Sequence, residues 1–226
     1  MKMFNYLIRQ PQPAATTPPV LLLFHGYGSN KEDLFGLSPY LDPRLLIVSV
    51  DAPCSMKAEG LPNGYAWFPL TFTPAGVEYD REEAKRSIER VLDFIRTIPQ
   101  KFGGDPDRIF LLGFSQGAMM AHAVLLDAPK LIRGVAALSG RRSDELFEGG
   151  KEKEKLKGFP LFVSHGWYDD VLPIHNGRAI RDFYQKTPVA LTYKEYPMGH
   201  EISAECLKDL QAWLKERIEG PTPASQ

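Results

Sequence analysis

The chain has 226 residues, of which 43% are hydrophobic and 24% are charged, and its formal net charge at pH 7 is −1. The length predicts a single domain over residues 1–226, and the composition is typical of a globular protein that buries a full core. The near-neutral charge excludes the basic surface that nucleic acids or anionic membranes attract, so we expect no nucleic-acid partner.

Seven short apolar runs predict strands. In chain order they cover residues 5–10, 20–26, 45–53, 108–114, 132–140, 160–166 and 190–197. The middle runs are continuously hydrophobic, which is the pattern of parallel strands buried on both faces of a sheet. The first run alternates more and precedes the proline-rich "PQPAATTPP", which favours an antiparallel edge strand.

Helical patterns separate these strands. The predicted helices cover residues 79–98, 115–128, 174–186 and 202–218, and Asp80 with Glu83 suits a capping box at the start of the first. This alternation predicts an α/β fold, a mostly parallel sheet with helices on both faces. Functional groups of such folds cluster in loops at the carboxyl ends of the strands. Residues 52–80 are expected to form a long loop and residues 219–226 a disordered tail.

The run before Arg9 is too short for the core of a signal peptide, and no segment is long enough to span a bilayer. Cys54 and Cys206 form neither a disulfide framework nor a metal-binding pattern. These features predict free thiols in a cytoplasmic protein without stable membrane insertion. They leave the oligomeric state open, a homodimer included.

The stretch "FLLGFSQGAMM" places Ser115 between Gly113 and Gly117, where a predicted strand passes into a predicted helix. This is the setting of a nucleophile elbow, in which a sharp turn presents a serine hydroxyl. A serine hydroxyl is a weak nucleophile and needs a base that a third group orients. On α/β-hydrolase scaffolds the chain order is serine, acid, histidine.

His200 is the favoured base, because it lies in the loop after the last strand. Its rivals have simpler explanations: His122 falls inside a helix, His165 ends a strand and His175 lies in a helical pattern. The acid should follow the strand "PLFVSHG", where Asp169 and Asp170 are adjacent and spacing does not separate them.

An oxyanion hole needs backbone N–H donors. The residue after the serine, Gln116, supplies one, and Tyr27 in the glycine-rich "FHGYGSN" is placed to supply the other. The five histidines include no i, i+4 pair suited to zinc, so we expect no metal and no organic cofactor.

Four segments, "LLLFHGYGSN", "GFSQGAMMA", "SHGWYDDVLP" and "YPMGHEI", together resemble the carboxylesterase/phospholipase family of α/β-hydrolases, whose relatives include acyl-protein thioesterases. The resemblance covers about residues 18–215. It implies an α/β-hydrolase fold, with Ser115 as nucleophile and His200 as base. Pro173 stands four residues after the position of the family's acid, which selects Asp169. The Tyr27 and Gln116 amides match the family's oxyanion donors.

The segment around Trp67 and Phe68 resembles a loop that borders the active site in the family. Its apolar side chains are costly to expose, so the segment either packs on the protein body or lines a groove in which Trp67, Phe68 and Leu70 bind the acyl group of the substrate. Bulky Phe24, Tyr27 and Trp167 depart from the smaller or aliphatic residues usual in the family, which puts a particular substrate in doubt. The expected function is hydrolysis of small-molecule carboxylic esters through an acyl-enzyme. Alternatives are a lysophospholipase or acyl thioesterase with the same triad, or a non-catalytic binding module on this fold.

Overall fold

The computed structural model describes residues 4–73, 76–143 and 153–220. Most of the predicted C-terminal tail, from residue 221 onward, lies outside the described residues. The strands in chain order are β1 (Tyr6–Arg9), β2 (Val20–Phe24), β3 (Leu46–Val50), β4 (Cys54–Ser55), β5 (Tyr65–Ala66), β6 (Leu70–Thr73), β7 (Gly76–Tyr79), β8 (Ile109–Phe114), β9 (Gly134–Leu138), β10 (Pro160–Gly166) and β11 (Ala190–Tyr196).

Seven of these strands form the central sheet, in the order β1-β3-β2-β8-β9-β10-β11. All neighbours pair in parallel except β1, which runs antiparallel to β3 at the edge. Every residue of β2, β3 and β9 is buried, because helices cover both faces of the sheet. The predicted mostly parallel sheet and its antiparallel N-terminal edge strand are therefore confirmed.

Five α-helices accompany the strands in the described part of the chain. They are α1 (Lys31–Phe35), α2 (Arg81–Phe102), α3 (Gln116–Asp127), α4 (His175–Tyr184) and α5 (Ala204–Glu219). Helices α2, α3 and α4 bury their apolar residues on one face of the sheet, and α1 and α5 cover the other. The Asp80 carboxylate accepts the N–H groups of Glu82 and Glu83 at 2.8 and 3.1 Å, so it caps α2, whereas the Glu83 carboxylate of the predicted capping box pairs with Arg86.

Residues 52–80 differ from the expected irregular loop. Strands β4 and β5 form one small antiparallel pair and β6 and β7 form another. Short ladders of this kind satisfy backbone groups that a long loop packed on the protein body would leave unpaired. The two pairs come after β3 and before α2 in the chain. Trp67 and Phe68, which lie between β5 and β6, are buried in the interior.

A buried polar pair joins two helices on one face of the sheet. His122 on α3 and Tyr184 on α4 are both inaccessible to solvent, and His122 Nδ1 lies 3.0 Å from the Tyr184 hydroxyl. Complete burial lowers the pKa of His122 to about 3, because the interior disfavours the charged ring. His122 therefore packs as a neutral side chain.

This burial makes the stability depend on pH. An unfolded histidine titrates near pH 6.5, so between about pH 6.5 and pH 3 the unfolded chain holds one proton that the folded chain lacks. We expect the free energy of unfolding to fall on acidification in this window, His122 contributing up to about 1.4 kcal/mol per pH unit. Urea unfolding of wild type and His122→Gln between pH 7 and 4.5 measures this contribution. Equal pH slopes for the two proteins would contradict it.

Candidate active site

Ser115 occupies a sharp turn between β8 and α3. Its backbone has φ 55° and ψ −116°, a conformation that costs energy in a residue with a side chain and that clusters at functional sites. The flanking glycines allow the turn: a Cβ on Gly113 would collide with the backbone of Gly117, and a Cβ on Gly117 would collide with the Phe24 carbonyl. Both glycines of the motif are thus required by backbone contacts.

Ser115, His200 and Asp169 lie in one hydrogen-bonded series. His200 Nε2 is 2.9 Å from Ser115 Oγ, and His200 Nδ1 is 2.8 Å from Asp169 Oδ2. A carboxylate can only accept, so Nδ1 carries the ring proton and Nε2 accepts from the serine hydroxyl. The ring nitrogen of His200 that faces Ser115 is therefore a hydrogen-bond acceptor.

The structure separates the two adjacent aspartates. The Asp169 side chain is wholly buried, and its Oδ1 accepts the N–H groups of Val171 and Leu172 at 3.1 and 2.7 Å. Asp170 is exposed to solvent. Gly166 lets the loop of Asp169 approach that of His200, because a Cβ there would collide with the Met198 and Gly199 carbonyls.

His165, in β10, lies directly behind Asp169. Its Nε2 is 2.6 Å from the Leu172 carbonyl oxygen and 3.4 Å from Asp169 Oδ2. Burial lowers the pKa of His165, outweighing the carbonyl contact and the Asp169 charge, both of which raise it. A neutral ring that donates Nε2–H to Leu172 fits these surroundings. Sequence reasoning weighed His165 only as a rival base or a turn residue; its place immediately before Gly166 in "SHGWYDD" was the available signal.

Gln116 begins α3, so its backbone N–H has no acceptor within the helix. Its side chain holds the neighbouring segment: Oε1 accepts from Trp67 N at 2.9 Å and Nε2 donates to the Phe68 carbonyl at 2.8 Å. The turn containing Tyr27 lies beside the serine, because a Cβ on Gly26 would stand 3.4 Å from Ser115 Cβ. Both expected oxyanion residues thus adjoin Ser115.

Trp67 and Phe68 require a correction. Both side chains are 0% exposed, so they pack on the protein body and do not form the acyl-binding wall that was the alternative. Trp67 Nε1 donates to the His25 carbonyl at 2.9 Å, and the ring packs 4.9 Å from that of Phe24. The two rings therefore pack beneath the same short segment, residues 67–68, whose backbone hydrogen-bonds to the Gln116 side chain. Leu70 is half-buried and packs at the edge of the same core.

Residues 4–73, 76–143 and 153–220 contain neither a cluster of metal ligands nor a membrane-spanning helix. No group of three or more His, Cys, Asp or Glu side chains there could hold a metal ion. No helix in those ranges has the length and apolar character needed to cross a bilayer.

Comparison with known proteins agrees with this fold. The model of the phospholipase/carboxylesterase family matches residues 8–218. A probable carboxylesterase, SOBER1-like, from Arabidopsis thaliana is 32% identical over 164 residues, covering 71% of this chain and 62% of that protein. Acyl-protein thioesterase 1 of Kluyveromyces lactis is 30% identical over 223 residues, covering 93% of this chain and 97% of the relative. The crystal structure of esterase PE8 superposes with a TM-score of 0.76 at 26% identity, over 95% of this chain and 99% of that one.

The fold is therefore that of the α/β-hydrolases. The chain belongs to the phospholipase/carboxylesterase family. It is a hydrolase of the carboxylesterase type.

We expect His165 to position Asp169, and a matched pair of variants tests this. His165→Met removes the donor to Leu172 at similar volume, so the loop that supplies N–H groups to Asp169 should relax and kcat should fall by about tenfold or more. His165→Gln replaces the ring with an amide N–H donor and should retain most activity. Initial rates on a p-nitrophenyl ester, measured across pH, compare the two.

The pH profile separates positioning from general damage. A displaced Asp169 stabilises the His200 imidazolium less, so the acidic limb of kcat/KM should move to lower pH in His165→Met and stay in place in His165→Gln. Matched thermal unfolding of the two variants is the control. Equal kcat and an unmoved limb in both would show that the Leu172 contact has no part in positioning Asp169.

Proposed function

We propose that this protein hydrolyses carboxylic esters through Ser115, His200 and Asp169 by way of an acyl-enzyme. The observation that carries the proposal is the series of two hydrogen bonds, 2.9 and 2.8 Å long, from the Ser115 hydroxyl through His200 to Asp169. It connects a strained, half-buried serine to a base whose tautomer a buried carboxylate fixes.

In the first step, Ser115 Oγ attacks the ester carbonyl carbon while His200 Nε2 takes the hydroxyl proton. Asp169 stabilises the imidazolium that forms, and the N–H groups of Tyr27 and Gln116 receive the charge on the carbonyl oxygen. The bond to the alcohol then breaks, and His200 passes its proton to the departing oxygen. The acyl group stays on Ser115.

In the second step, His200 takes a proton from water, and the resulting nucleophile attacks the acyl carbonyl. The acyl group leaves as a carboxylic acid and Ser115 recovers its proton. Both steps transfer only an acyl group and protons among the substrate, water and the chain's own residues, so the cycle calls for no cofactor.

A thioester substrate is the second candidate. Its support is the likeness to acyl-protein thioesterase 1 of Kluyveromyces lactis, which extends over 93% of this chain. The same attack and proton transfers cleave a thioester, since only the departing atom changes from oxygen to sulfur. A lysophospholipase would use the same serine, histidine and aspartate on a substrate with a long acyl chain.

We expect Ser115→Ala to lose hydrolysis by at least about 10⁴-fold, because nothing else can form the acyl-enzyme. Initial rates on p-nitrophenyl esters from acetyl to palmitoyl measure this loss and rank chain lengths. A maximum at short chains favours a carboxylesterase, and one at long chains favours the lysophospholipase or thioesterase. No hydrolysis of any ester by the wild type would favour the non-catalytic binding module.

Ser139→Ala is the matched control. Ser139 is a buried serine that also has a positive φ, 49°, yet it is not part of the hydrogen-bonded series. A fluorophosphonate probe should label wild type and Ser139→Ala and should leave Ser115→Ala unlabelled. Labelling of Ser115→Ala would assign the reactive serine elsewhere.

The two adjacent aspartates provide a further test. Asp169→Asn should lower kcat by about 10⁴-fold, because an amide N–H facing His200 Nδ1 favours the wrong tautomer. Asp170→Asn removes the same charge one residue away, on an exposed side chain, and should change kcat little. Comparable losses in the two variants, measured on one p-nitrophenyl ester, would refute the assignment of Asp169.

A further inference from the structure

A groove of about 370 Å³ lies against the outer side of His200, between α1 and the turn that follows the histidine. This volume is within the range of small-molecule sites. Its apolar lining comes from α1, the turn just after α1, the end of β8 and the His200 turn, and consists of Leu34, Leu37, Phe114 and Ile202. The Phe114 and His200 rings pack with centroids 4.9 Å apart, and both line the groove, so the groove reaches the imidazole of the candidate catalytic centre.

The position of His200 in this groove indicates which half of the substrate would lie there. In the mechanism above, His200 Nε2 gives its proton to the departing alcohol or thiol, so this half of the substrate must be within hydrogen-bond reach of the imidazole. The carbonyl oxygen, in contrast, faces the N–H groups of Tyr27 and Gln116. A groove walled by His200 is therefore suited to the leaving group rather than to the acyl chain.

The charge of the groove has one sign. Asp33 and Glu201 are its ionisable lining residues besides His200, both are exposed, and no Lys or Arg belongs to the lining found among the described residues. Asp33 Oδ2 accepts a hydrogen bond from Ser29 Oγ at 2.8 Å, which brings it no positive charge. The nearby Lys31 is held by Asp51 and Glu32, each at 3.1 Å.

We propose that this groove binds the leaving group of the substrate, an alcohol or thiol with an apolar body. Among such leaving groups it prefers one that carries a cationic group to a neutral one, and a neutral one to an anionic one. The proposal rests on the function proposed above. Two carboxylates attract a cation and repel an anion, and the aromatic ring of Phe114 in the lining is a group that quaternary ammonium ions favour. Leaving groups that carry phosphate or sulfonate would be disfavoured.

Three butyryl thioesters with different thiols test the charge selection. Thiocholine carries a cation, 3,3-dimethylbutane-1-thiol is its neutral isostere, and 3-mercaptopropanesulfonate carries an anion. Release of each thiol reports kcat/KM, and the acyl group is identical throughout. Because each ratio is compared between protein variants, the intrinsic reactivities of the three thioesters cancel.

We expect Asp33→Asn/Glu201→Gln to lower the thiocholine-to-dimethylbutyl ratio of kcat/KM by about three- to tenfold, and to raise the relative rate of the sulfonate. Raising the salt concentration should reduce the wild-type ratio, because the carboxylates are exposed. Glu89→Gln/Asp93→Asn on α2 is the control: it makes the same change in net charge on the opposite face of the sheet. Ratios that change equally in both double variants, or in neither, would overturn the charge selection.

Filling the groove tests whether the leaving group occupies it. Leu37 is half-buried, so Leu37→Trp can project into the groove, and matched thermal unfolding verifies the fold. We expect kcat/KM for the dimethylbutyl thioester to fall by about tenfold and that for S-methyl thiobutyrate to change little. Equal effects on both substrates would overturn the assignment of the leaving group to this groove.

The same measurements separate the two proposals. If wild type cleaves S-methyl thiobutyrate in a Ser115-dependent manner and the ratios do not respond to the variants, the groove proposal fails alone. If wild type cleaves no ester and no thioester, the proposed function fails, and the groove proposal fails with it.

Discussion

The contact between the Gly117 backbone and the Phe24 carbonyl is the constraint on which the site depends. It brings the start of α3 against the end of β2, and only a residue without a side chain fits between them. Because Gly113 meets Gly117 in the same way, the chain turns sharply at Ser115. The contact therefore places three things side by side: the serine hydroxyl, the free N–H at the start of α3 and the glycine turn after β2.

A second set of backbone contacts builds the other half of the site. Asp169 is buried, yet its two oxygens accept from two backbone N–H groups and one imidazole. A buried carboxylate is tolerated when donors surround it in this way. His165 contacts the carbonyl of Leu172, the same residue whose N–H group binds Asp169. Asp169 is thus held by the N–H groups of its own loop, and that loop is held by His165 at the end of β10.

Features of the fold and site were predictable from the sequence where the interacting residues are close in the chain or where burial imposes a regular apolar pattern. The strands β2, β3 and β9 were predictable because a continuously apolar run is what a strand covered on both faces requires. The capping of α2 by Asp80 was predictable because the cap and its N–H partners are within three residues. The short pairs within residues 52–80 were not, since their ladders contain only two to four residues on each side.

The sequence alone determined the type and order of the candidate functional groups: a serine in a glycine-flanked turn, an acid after β10 and a histidine after β11. Only the tertiary structure decided their surroundings. It buried Trp67 and Phe68, whose hydrophobicity is equally compatible with core packing and with an acyl-binding wall. It also placed His165 behind Asp169. It also formed the groove beside His200 from segments more than 160 residues apart. Burial, and the electrostatic effects that come with it, depend on which distant segments pack together. A local sequence pattern does not specify those packing partners.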